Sequence, residues 1–280
     1  MGIPICDKKV AIVTGASRGI GLAIVRGLCR VFYGDVYLTA PDSEEAKNTI
    51  EGLRREGLDP KFYPLDITDT SGVEKFGEFL RNYYGEISIL VNNAGVAYAP
   101  DSVEPFSTQA EVTCKTNFHG TLHVCKTLFP LLGPHARVVN ISSGVSKVAI
   151  TMCSEQVRNR LLDPNLTMEQ LGEMIDSYVE ATKTGRQVEE GWPITPYAVS
   201  KIGITVMTFI QQMELLGDVR SDIVVNVCCP GFTNTAMTRH RGTASPDQGA
   251  DTPLYLATLP KNSKTPCGNY VTNRKIQTWA

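Results

Sequence analysis

The sequence predicts an α/β fold of the doubly wound type, in which a parallel sheet of about seven strands carries helices on both faces. Short apolar runs rich in β-branched residues recur along the chain and alternate with helical stretches. This rhythm extends over nearly the whole sequence, and no segment rich in Pro, Gly or Ser interrupts the 280 residues. We therefore expect one domain over residues 1–280.

The apolar runs place the strands at 10–13, 36–39, 61–65, 87–91, 137–141, 223–227 and 268–271. The clearest helices between them are predicted at 21–31, 44–56, 73–84 and 110–129. Because helical crossovers connect the strands, the strands are expected to run parallel and to be buried on both faces.

One long stretch without a strand, about 145–192, is predicted to be an insertion that packs onto the domain. It contains a strong helix start, in which Thr167 and Gln170 form a capping box and Leu166 and Leu171 form a hydrophobic staple. One face of this helix is apolar and consists of Leu171, Met174, Ile175 and Tyr178. Such a face needs a partner surface.

Composition narrows the class of protein. The net charge of −2 and the 42% hydrophobic residues are ordinary for a globular chain, and no long basic run is present, which argues against nucleic-acid and membrane-surface binding. No signal-type or membrane-spanning apolar segment is found. The eight cysteines form no C-x-x-C pair, so they are expected to be free thiols in the cytoplasm, and no metal site is predicted.

The chain is organised around a helix start at 195–201. Thr195 is expected to cap this helix with its hydroxyl, and Pro196 suits the first turn. Tyr197 and Lys201 lie on one face, one turn apart, and the apolar residues that follow predict a buried helix. We expect the Lys201 ammonium to lower the pKa of Tyr197, so that its phenol exchanges a proton near neutral pH. Many helices contain such a pair by chance, so the rest of the chain decides its meaning.

A glycine-rich turn follows the first predicted strand. Residues 14–21 have the spacing T-G-x-x-x-G-x-G and lead into a helix. In this context the backbone approaches a phosphate and the helix N-terminus binds it, as in Rossmann-type dinucleotide sites. The residues predicted to hold the cofactor here are Gly15, Ser17, Arg18, Gly19, Ile20 and Gly21.

The type of nucleotide depends on charges near this turn. Arg18 is a cation within the turn, whereas the second strand ends in Thr39 and Ala40 without an acid. An acid there meets the ribose 2′-hydroxyl of NAD, and an arginine meets the 2′-phosphate of NADP. The pattern favours NADP(H). Asp42 lies slightly farther along the chain, and this acid keeps NAD as the alternative cofactor.

Polar or small residues recur at the carboxyl ends of the other strands, the edge at which such sheets bind ligands. They are Asp66, Ile67, Asn93, Ala94, Gly95, Ser143, Pro230, Gly231, Phe232, Thr233 and Thr235. Asp66 suits a cap of the following helix as well as a ligand contact. Motifs repeated along one rim of one sheet indicate a binding site at that rim.

Taken in order, these motifs resemble the short-chain dehydrogenase/reductase family over nearly the whole chain. The chain is similar in particular to the monomeric NADPH-dependent carbonyl reductases of that family. This similarity lies in the insertion and in segments 19–26, 109–113, 115–118, 190–193 and 228–231. The resemblance implies that NADPH is the cofactor and that small ketones, aldehydes or quinones are reduced to alcohols.

The resemblance also implies residue roles. Tyr197 is the general acid, and Ser143 donates a hydrogen bond to the substrate carbonyl. Lys201 holds the nicotinamide ribose, and Asn117 anchors a water that links Lys201 to solvent. Negative charge builds on the carbonyl oxygen during hydride addition, so two hydroxyl donors aimed there stabilise it. Placed along the cofactor by the same resemblance are Asn93, Ala94, Gly95, Thr233 and Thr235.

Two positions depart from the carbonyl reductase pattern. Pro41 stands where that group usually has arginine, so a preference for NADP depends mainly on Arg18. Phe232 stands where tryptophan usually follows P-G, so the substrate pocket differs.

Three further residues are candidates for the substrate side. Tyr98 and Gln109 lie where the carbonyl reductases are thought to hold glutathione conjugates, and they suit an ordinary pocket wall or surface equally well. Cys229 either lines the pocket or is a buried thiol at a strand end.

The motifs leave three functions open. The first is a broad carbonyl reductase, the second a physiological dehydrogenase or reductase of a hydroxysteroid or prostaglandin. The third is a catalytically inactive NADP-binding regulator, which the complete set of catalytic residues disfavours. Most members of the family are tetramers built on two long helices, here 110–129 and the one from Tyr197 onward. Because the insertion ends at that same face, we expect it to cover the face and keep the chain monomeric.

Overall fold

The structure, a computed structural model, describes residues 8–280. Within these residues the strands form one sheet in the order β3-β2-β1-β4-β5-β6-β7-β8. The strands are β1 (Lys9–Val13), β2 (Gly34–Ala40), β3 (Lys61–Pro64), β4 (Ile87–Asn92), β5 (Leu132–Ile141), β6 (Val224–Cys229), β7 (Tyr270–Thr272) and β8 (Lys275–Ile276). The pairs from β3 to β7 are parallel, which confirms the predicted doubly wound sheet.

The eighth strand is a difference from the prediction. β8 runs antiparallel to β7 and follows a turn at Asn273 and Arg274, whose φ values are 50° and 59°. Two consecutive left-handed residues make the turn that joins tightly paired antiparallel strands. β8 is only two residues long, and both are exposed, so it carries no apolar pattern from which to predict it.

The helices are α1 (Gly19–Val31), α2 (Ser43–Arg55), α3 (Thr70–Tyr83), α4 (Phe106–Cys114), α5 (Thr121–Leu128), α6 (Gly144–Met152), α7 (Glu155–Leu161), α8 (Met168–Lys183), α9 (Pro196–Leu215) and α10 (Pro246–Ala257). The helix predicted at 110–129 is divided, because a π-helical segment, Lys115–Gly120, separates α4 from α5. None of the helices in residues 8–280 has both the length and the apolar character needed to cross a bilayer.

The sheet separates two apolar layers. Ala11 and Val13 of β1 face the layer built with α1, α2 and α10. Val10 and Ile12 point the other way, into the layer built with α3 and α5. All four side chains are fully buried, which explains why residues 10–13 are all apolar and do not alternate.

The stretch predicted as an insertion contains three helices, α6, α7 and α8, of which the sequence pattern indicated one. The capping box of Thr167 and Gln170 is present at the start of α8. Leu171, Ile175 and Tyr178 on its apolar face are completely buried. α8 packs against α4 and α9, and their side chains share one apolar cluster.

The topology fixes where a ligand site can lie. β1 has β2 on one side and β4 on the other, so the chain changes its direction across the sheet between β3 and β4. In doubly wound sheets the crevice at such a switch point, beyond the carboxyl ends of the strands, binds the ligand. The loops after β1, β4, β5 and β6 meet at this edge.

Candidate active site

The loop between β1 and α1 is held against the end of β4. Gly15 and Gly19 have φ values of 61° and 58°, and a Cβ on Gly15 would lie 2.6 Å from the Ala94 Cα. Asn93 donates its amide hydrogens to the carbonyls of Thr14 and Gly15, both at 2.9 Å. The Thr14 hydroxyl accepts hydrogen bonds from the backbone N–H groups of Asn93 and Ala94. Only glycine fits at position 15, and the loop shape is fixed without any ligand.

The start of α1 fits a pyrophosphate. Arg18 is the N-cap residue, yet its side chain makes no capping hydrogen bond, and the first turn carries no acid. The backbone N–H groups of this turn are therefore left for a ligand at the positive end of the helix dipole. Gly21 is also tightly placed, since a Cβ there would lie 2.5 Å from the Asn93 amide nitrogen.

The outer side of this loop contacts an acid that sequence reasoning missed. Glu45, in the first turn of α2, accepts a hydrogen bond of 2.7 Å from the Ser17 hydroxyl and one of 3.1 Å from the Arg18 guanidinium. Arg18, the cation predicted to bind the cofactor, is thus paired with a carboxylate.

Two other acids near the cofactor edge are engaged in local structure. Asp42 is the N-cap of α2 and accepts from the N–H groups of Glu44 and Glu45. Asp66 accepts from both the N–H and the hydroxyl of Thr68 at 2.8 Å. The alternative that Asp66 caps the next helix is wrong, because Asp69 is the N-cap residue of α3.

Tyr197 and Lys201 lie one turn apart at the start of α9, with Pro196 in the first turn. The Lys201 Nζ lies 5.6 Å from the centroid of the Tyr197 ring. Thr195 is the N-cap residue, but its side chain makes no capping hydrogen bond, so the expected hydroxyl cap is wrong. The proline that follows it has no N–H, and its fixed φ favours the helical first turn.

Lys201 is held in a buried position, with 5% of its surface exposed. Its ammonium donates a hydrogen bond of 2.7 Å to the Ile141 carbonyl at the end of β5. A Cβ on Gly95 would lie 3.7 Å from Nζ and 3.1 Å from Asn117 Oδ1, so these three residues adjoin. Burial lowers the pKa of Lys201 to about 8, because a charged ammonium is poorly solvated there.

The expected lowering of the Tyr197 pKa is wrong. Burial raises the pKa of Tyr197 to about 12, and the hydrogen bond from Ser143 only partly opposes this. Tyr197 therefore carries its proton at neutral pH.

Asn117 lies in the π-helical segment between α4 and α5 and is almost fully buried. Its amide exchanges two hydrogen bonds with the Val96 backbone, at 2.7 and 2.9 Å, and donates a third to the Ser200 hydroxyl. π-helical turns are often found at functional sites, where they displace one side chain from regular helical register. Asn117 thereby ties the loop after β4 to the first turn of α9.

The loop after β6 reaches back to the phosphate loop. Gly231 has a φ of 81°, and Phe232 beside it is 56% exposed. Thr233 is buried and donates to the Pro230 carbonyl at 3.3 Å. A Cβ on Gly19 would lie 3.2 Å from the Thr235 methyl group, so this loop borders the start of α1.

A family model described as short chain dehydrogenase matches residues 9–155. Carbonyl reductase (NADPH) 1 of Rattus norvegicus is 44% identical over 274 residues, which cover 98% of this chain and 99% of the relative. The same enzyme of Homo sapiens is 45% identical over 271 residues, covering 96% and 98%. Carbonyl reductase (NADPH) 3 of Mus musculus is 44% identical over 273 residues, covering 97% and 99%. The chain belongs to the short-chain dehydrogenase family.

Solved structures agree with this family. Salutaridine reductase from Papaver somniferum has a TM-score of 0.83 at 26% identity, covering 94% of this chain and 99% of its own. Menthone neomenthol reductase from Mentha piperita has a TM-score of 0.78 at 25% identity, covering 95% and 98%. These similarities confirm the family that the motifs predicted.

The residues predicted for the substrate of this short-chain dehydrogenase lie in different surroundings. Cys229, the last residue of β6, is partly buried, and its sulfur accepts from the Gly144 N–H at 3.0 Å, next to Ser143. Gln109 of α4 donates its amide to the Glu104 carbonyl. Tyr98 is partly buried in the loop after β4. Ile67, which was predicted to contact the cofactor, is buried and packs at Gly120.

A tryptophan near the far end of the chain supports Ser143, and the motifs gave no sign of it. The Trp279 indole donates to the Ser146 hydroxyl at 3.0 Å, and Ser146 donates to the Ser143 carbonyl at 2.8 Å. Trp279 is buried and packs edge-on against Phe209 of α9. Ser143 is thus tied through Ser146 to a residue far away in sequence. Among residues 8–280, no group of His, Cys, Asp and Glu side chains is arranged to hold a metal ion.

Proposed function

We propose that this chain is an NADPH-dependent carbonyl reductase that reduces ketones, aldehydes or quinones to alcohols, with Tyr197 as the general acid. The observation that carries this proposal is the convergence of Tyr197 and Lys201 with Asn117 and Gly95 at the sheet edge that also holds the phosphate loop. The relatives named as NADPH carbonyl reductases span nearly the whole chain and support the same activity.

The cofactor site is formed by the chain's own backbone. The uncapped start of α1 and the turn at Gly15 and Gly19 would hold the pyrophosphate. Asn93, Ala94 and Gly95 would border the nucleotide, and the loop from 230 to 235 would cover its far side. When bound, NADPH supplies the hydride.

The catalytic residues act on the carbonyl oxygen. Tyr197 donates its proton there as negative charge develops, and the Ser143 hydroxyl donates a hydrogen bond to the same atom. Because the pKa of Tyr197 is raised to about 12, the phenol is protonated at neutral pH and ready to act as an acid.

Lys201 and Asn117 would assist this chemistry without contacting the carbonyl oxygen. The Lys201 ammonium would hold the nicotinamide ribose, and Asn117 would position a water between Lys201 and solvent for return of the proton. On the substrate side, the residues that would border the carbonyl compound are Ser143, Tyr98, Gln109, Cys229 and Phe232. Phe232 is exposed on the loop after β6.

We also propose that residues 1–280 form one domain, with the insertion at about 145–192 as part of it, and that the protein is a cytoplasmic monomer. The cysteines that the structure describes are free thiols, which suits a reducing compartment, while Cys6 lies outside the described residues. α8 packs against α4 and α9, the helices on which the family resemblance implies that tetramers would be built.

A substrate panel tests the activity. The purified protein is mixed with NADPH and a quinone, a keto-steroid or a prostaglandin, and loss of nicotinamide absorbance is followed, together with the reverse reaction of each alcohol with NADP. We expect turnover of several unrelated carbonyls and faster reduction than oxidation. Tight NADPH binding without turnover of any carbonyl or alcohol would contradict the proposed activity.

A further inference from the structure

Glu45, in the first turn of α2, contacts the phosphate loop at the cation that was expected to be free for a phosphate. Its two carboxylate oxygens are both engaged, one with the Ser17 hydroxyl at 2.7 Å and the other with the Arg18 guanidinium at 3.1 Å. Thr49, one turn later on α2, donates to the Ser17 carbonyl at 2.6 Å. α2 is therefore joined to the phosphate loop at two points, and Glu45 is oriented toward that loop.

Three acidic residues lie close to the place where an additional phosphate would bind. Asp42, Glu44 and Glu45 lie together at the start of α2. Lys47 pairs with Glu44 at 2.7 Å, and Arg18 pairs with Glu45 at 3.1 Å. Pro41 contributes no charge at the end of β2. A 2′-phosphate that approached Arg18 would meet a carboxylate already bound to it, and like charges at short range repel.

We propose that Glu45 determines how strongly this protein prefers NADPH to NADH. Glu45 competes with the 2′-phosphate for Arg18 and Ser17, and it must release both before the phosphate can use them. The preference for NADPH is therefore smaller than Arg18 alone would give. This inference rests on the cofactor site of the proposed function and not on its carbonyl chemistry.

Binding measurements on the full chain test the inference without any catalytic readout. The dissociation constants of NADPH and NADH are measured by isothermal titration calorimetry for the unchanged protein and for Glu45→Gln. Removing the charge should raise the ratio of the NADH constant to the NADPH constant by about tenfold, the effect of one short-range charge pair at a partly exposed site. Glu44→Gln is the matched control, because Glu44 lies in the same turn and faces Lys47, and it should change the ratio less than about twofold.

Two additional measurements keep the outcome clear. Glu45→Arg should raise the ratio further than Glu45→Gln, and circular dichroism verifies that each variant is folded. Adenosine 2′,5′-bisphosphate should bind Glu45→Gln more tightly than the unchanged protein, whereas 5′-AMP should not. An unchanged or lower ratio in folded Glu45→Gln would overturn the role of Glu45. Failure of the unchanged protein to bind NADPH at all would instead contradict the proposed function.

Discussion

Lys201 of α9 donates a hydrogen bond of 2.7 Å to the carbonyl of Ile141, the last residue of β5. This bond holds the ammonium beside Gly95 and Asn117, 5.6 Å from the centroid of the Tyr197 ring. Burial is the largest influence on the pKa of this ammonium, and it lowers that pKa. The active site thus contains a buried cation that is held in place mainly by a backbone carbonyl.

The pH dependence of stability should reveal this burial. The pKa of Lys201 is lowered from 10.5 to about 8, so between these values the unfolded chain binds more protons than the folded one, and stability rises with pH. The burial penalty is full below pH 8 and disappears above 10.5. From pH 7 to pH 10, the unfolding free energy of the unchanged protein should therefore rise by about 2 kcal/mol relative to that of Lys201→Met.

Urea unfolding at the two pH values measures this difference. The control is Lys115→Met, which removes an exposed lysine from the π-helical segment and should give a difference that is constant within about 0.5 kcal/mol. A constant or falling difference for Lys201→Met would show that burial does not lower the pKa of Lys201.

Trp279 is predicted to position Ser143 through Ser146. Trp279→Phe keeps most of the ring packing against Phe209 but removes the indole N–H that the Ser146 hydroxyl accepts. We expect kcat for carbonyl reduction to fall about fivefold to tenfold, with the NADPH dissociation constant unchanged. A misplaced Ser143 donor stabilises the transition state less well but does not affect cofactor binding.

A double variant distinguishes this role from a general loss of packing. If Trp279 acts through Ser146, Ser146→Ala should lower kcat similarly, and the two changes together should cause no greater loss than either alone. Losses that multiply would show that Trp279 and Ser146 act independently.

Many of these features follow from local sequence signals. The strands were predictable because runs buried on both faces are apolar, and the phosphate loop because Gly15 and Gly19 need left-handed φ values. The start of α8 was predictable because Thr167 and Gln170 satisfy each other within one turn. The pairing of Tyr197 and Lys201 follows from helical periodicity alone.

Other features depend on contacts between distant segments. Glu45 meets Arg18 only because α2 packs beside the loop after β1, 27 residues away in sequence. Trp279 reaches Ser146 across 133 residues. The raised pKa of Tyr197 comes from burial by surrounding elements, which the neighbouring lysine in the sequence did not indicate. The π-helical segment that carries Asn117 has no signal in the residue pattern.

Arg18→Ala should weaken the binding of NADPH much more than that of NADH. The guanidinium can bind the 2′-phosphate, which only NADPH has, and its removal also leaves the Glu45 carboxylate unpaired beside that phosphate. We expect the NADPH dissociation constant to rise about tenfold or more relative to that of NADH. The control is Arg30→Ala, which removes an exposed arginine in the last turn of α1 that pairs with Glu56 at the end of α2. It should change neither dissociation constant. Equal weakening of both nucleotides would show that Arg18 does not contact the phosphate.

The oligomeric state tests the role of α8. Leu171, Ile175 and Tyr178 are buried against α4 and α9, so the proposed monomer has this apolar surface covered within one chain. Light scattering should give the mass of one chain, 30.6 kDa. A mass about four times larger would contradict the monomer. Deleting residues 159–183 should expose this face and cause aggregation or oligomerisation, and a soluble monomeric deletion would count against the packing role.

The central claim, that Tyr197 protonates the substrate carbonyl, is tested most directly by Tyr197→Phe. This change removes the phenol hydroxyl and keeps the ring, so the cofactor site should stay intact. With NADPH and a quinone that the unchanged protein reduces, kcat should fall by about 10²-fold or more, the scale of a lost acid catalyst, while the NADPH dissociation constant by calorimetry stays the same. Near-full turnover by folded Tyr197→Phe would contradict the assignment of Tyr197 as the general acid.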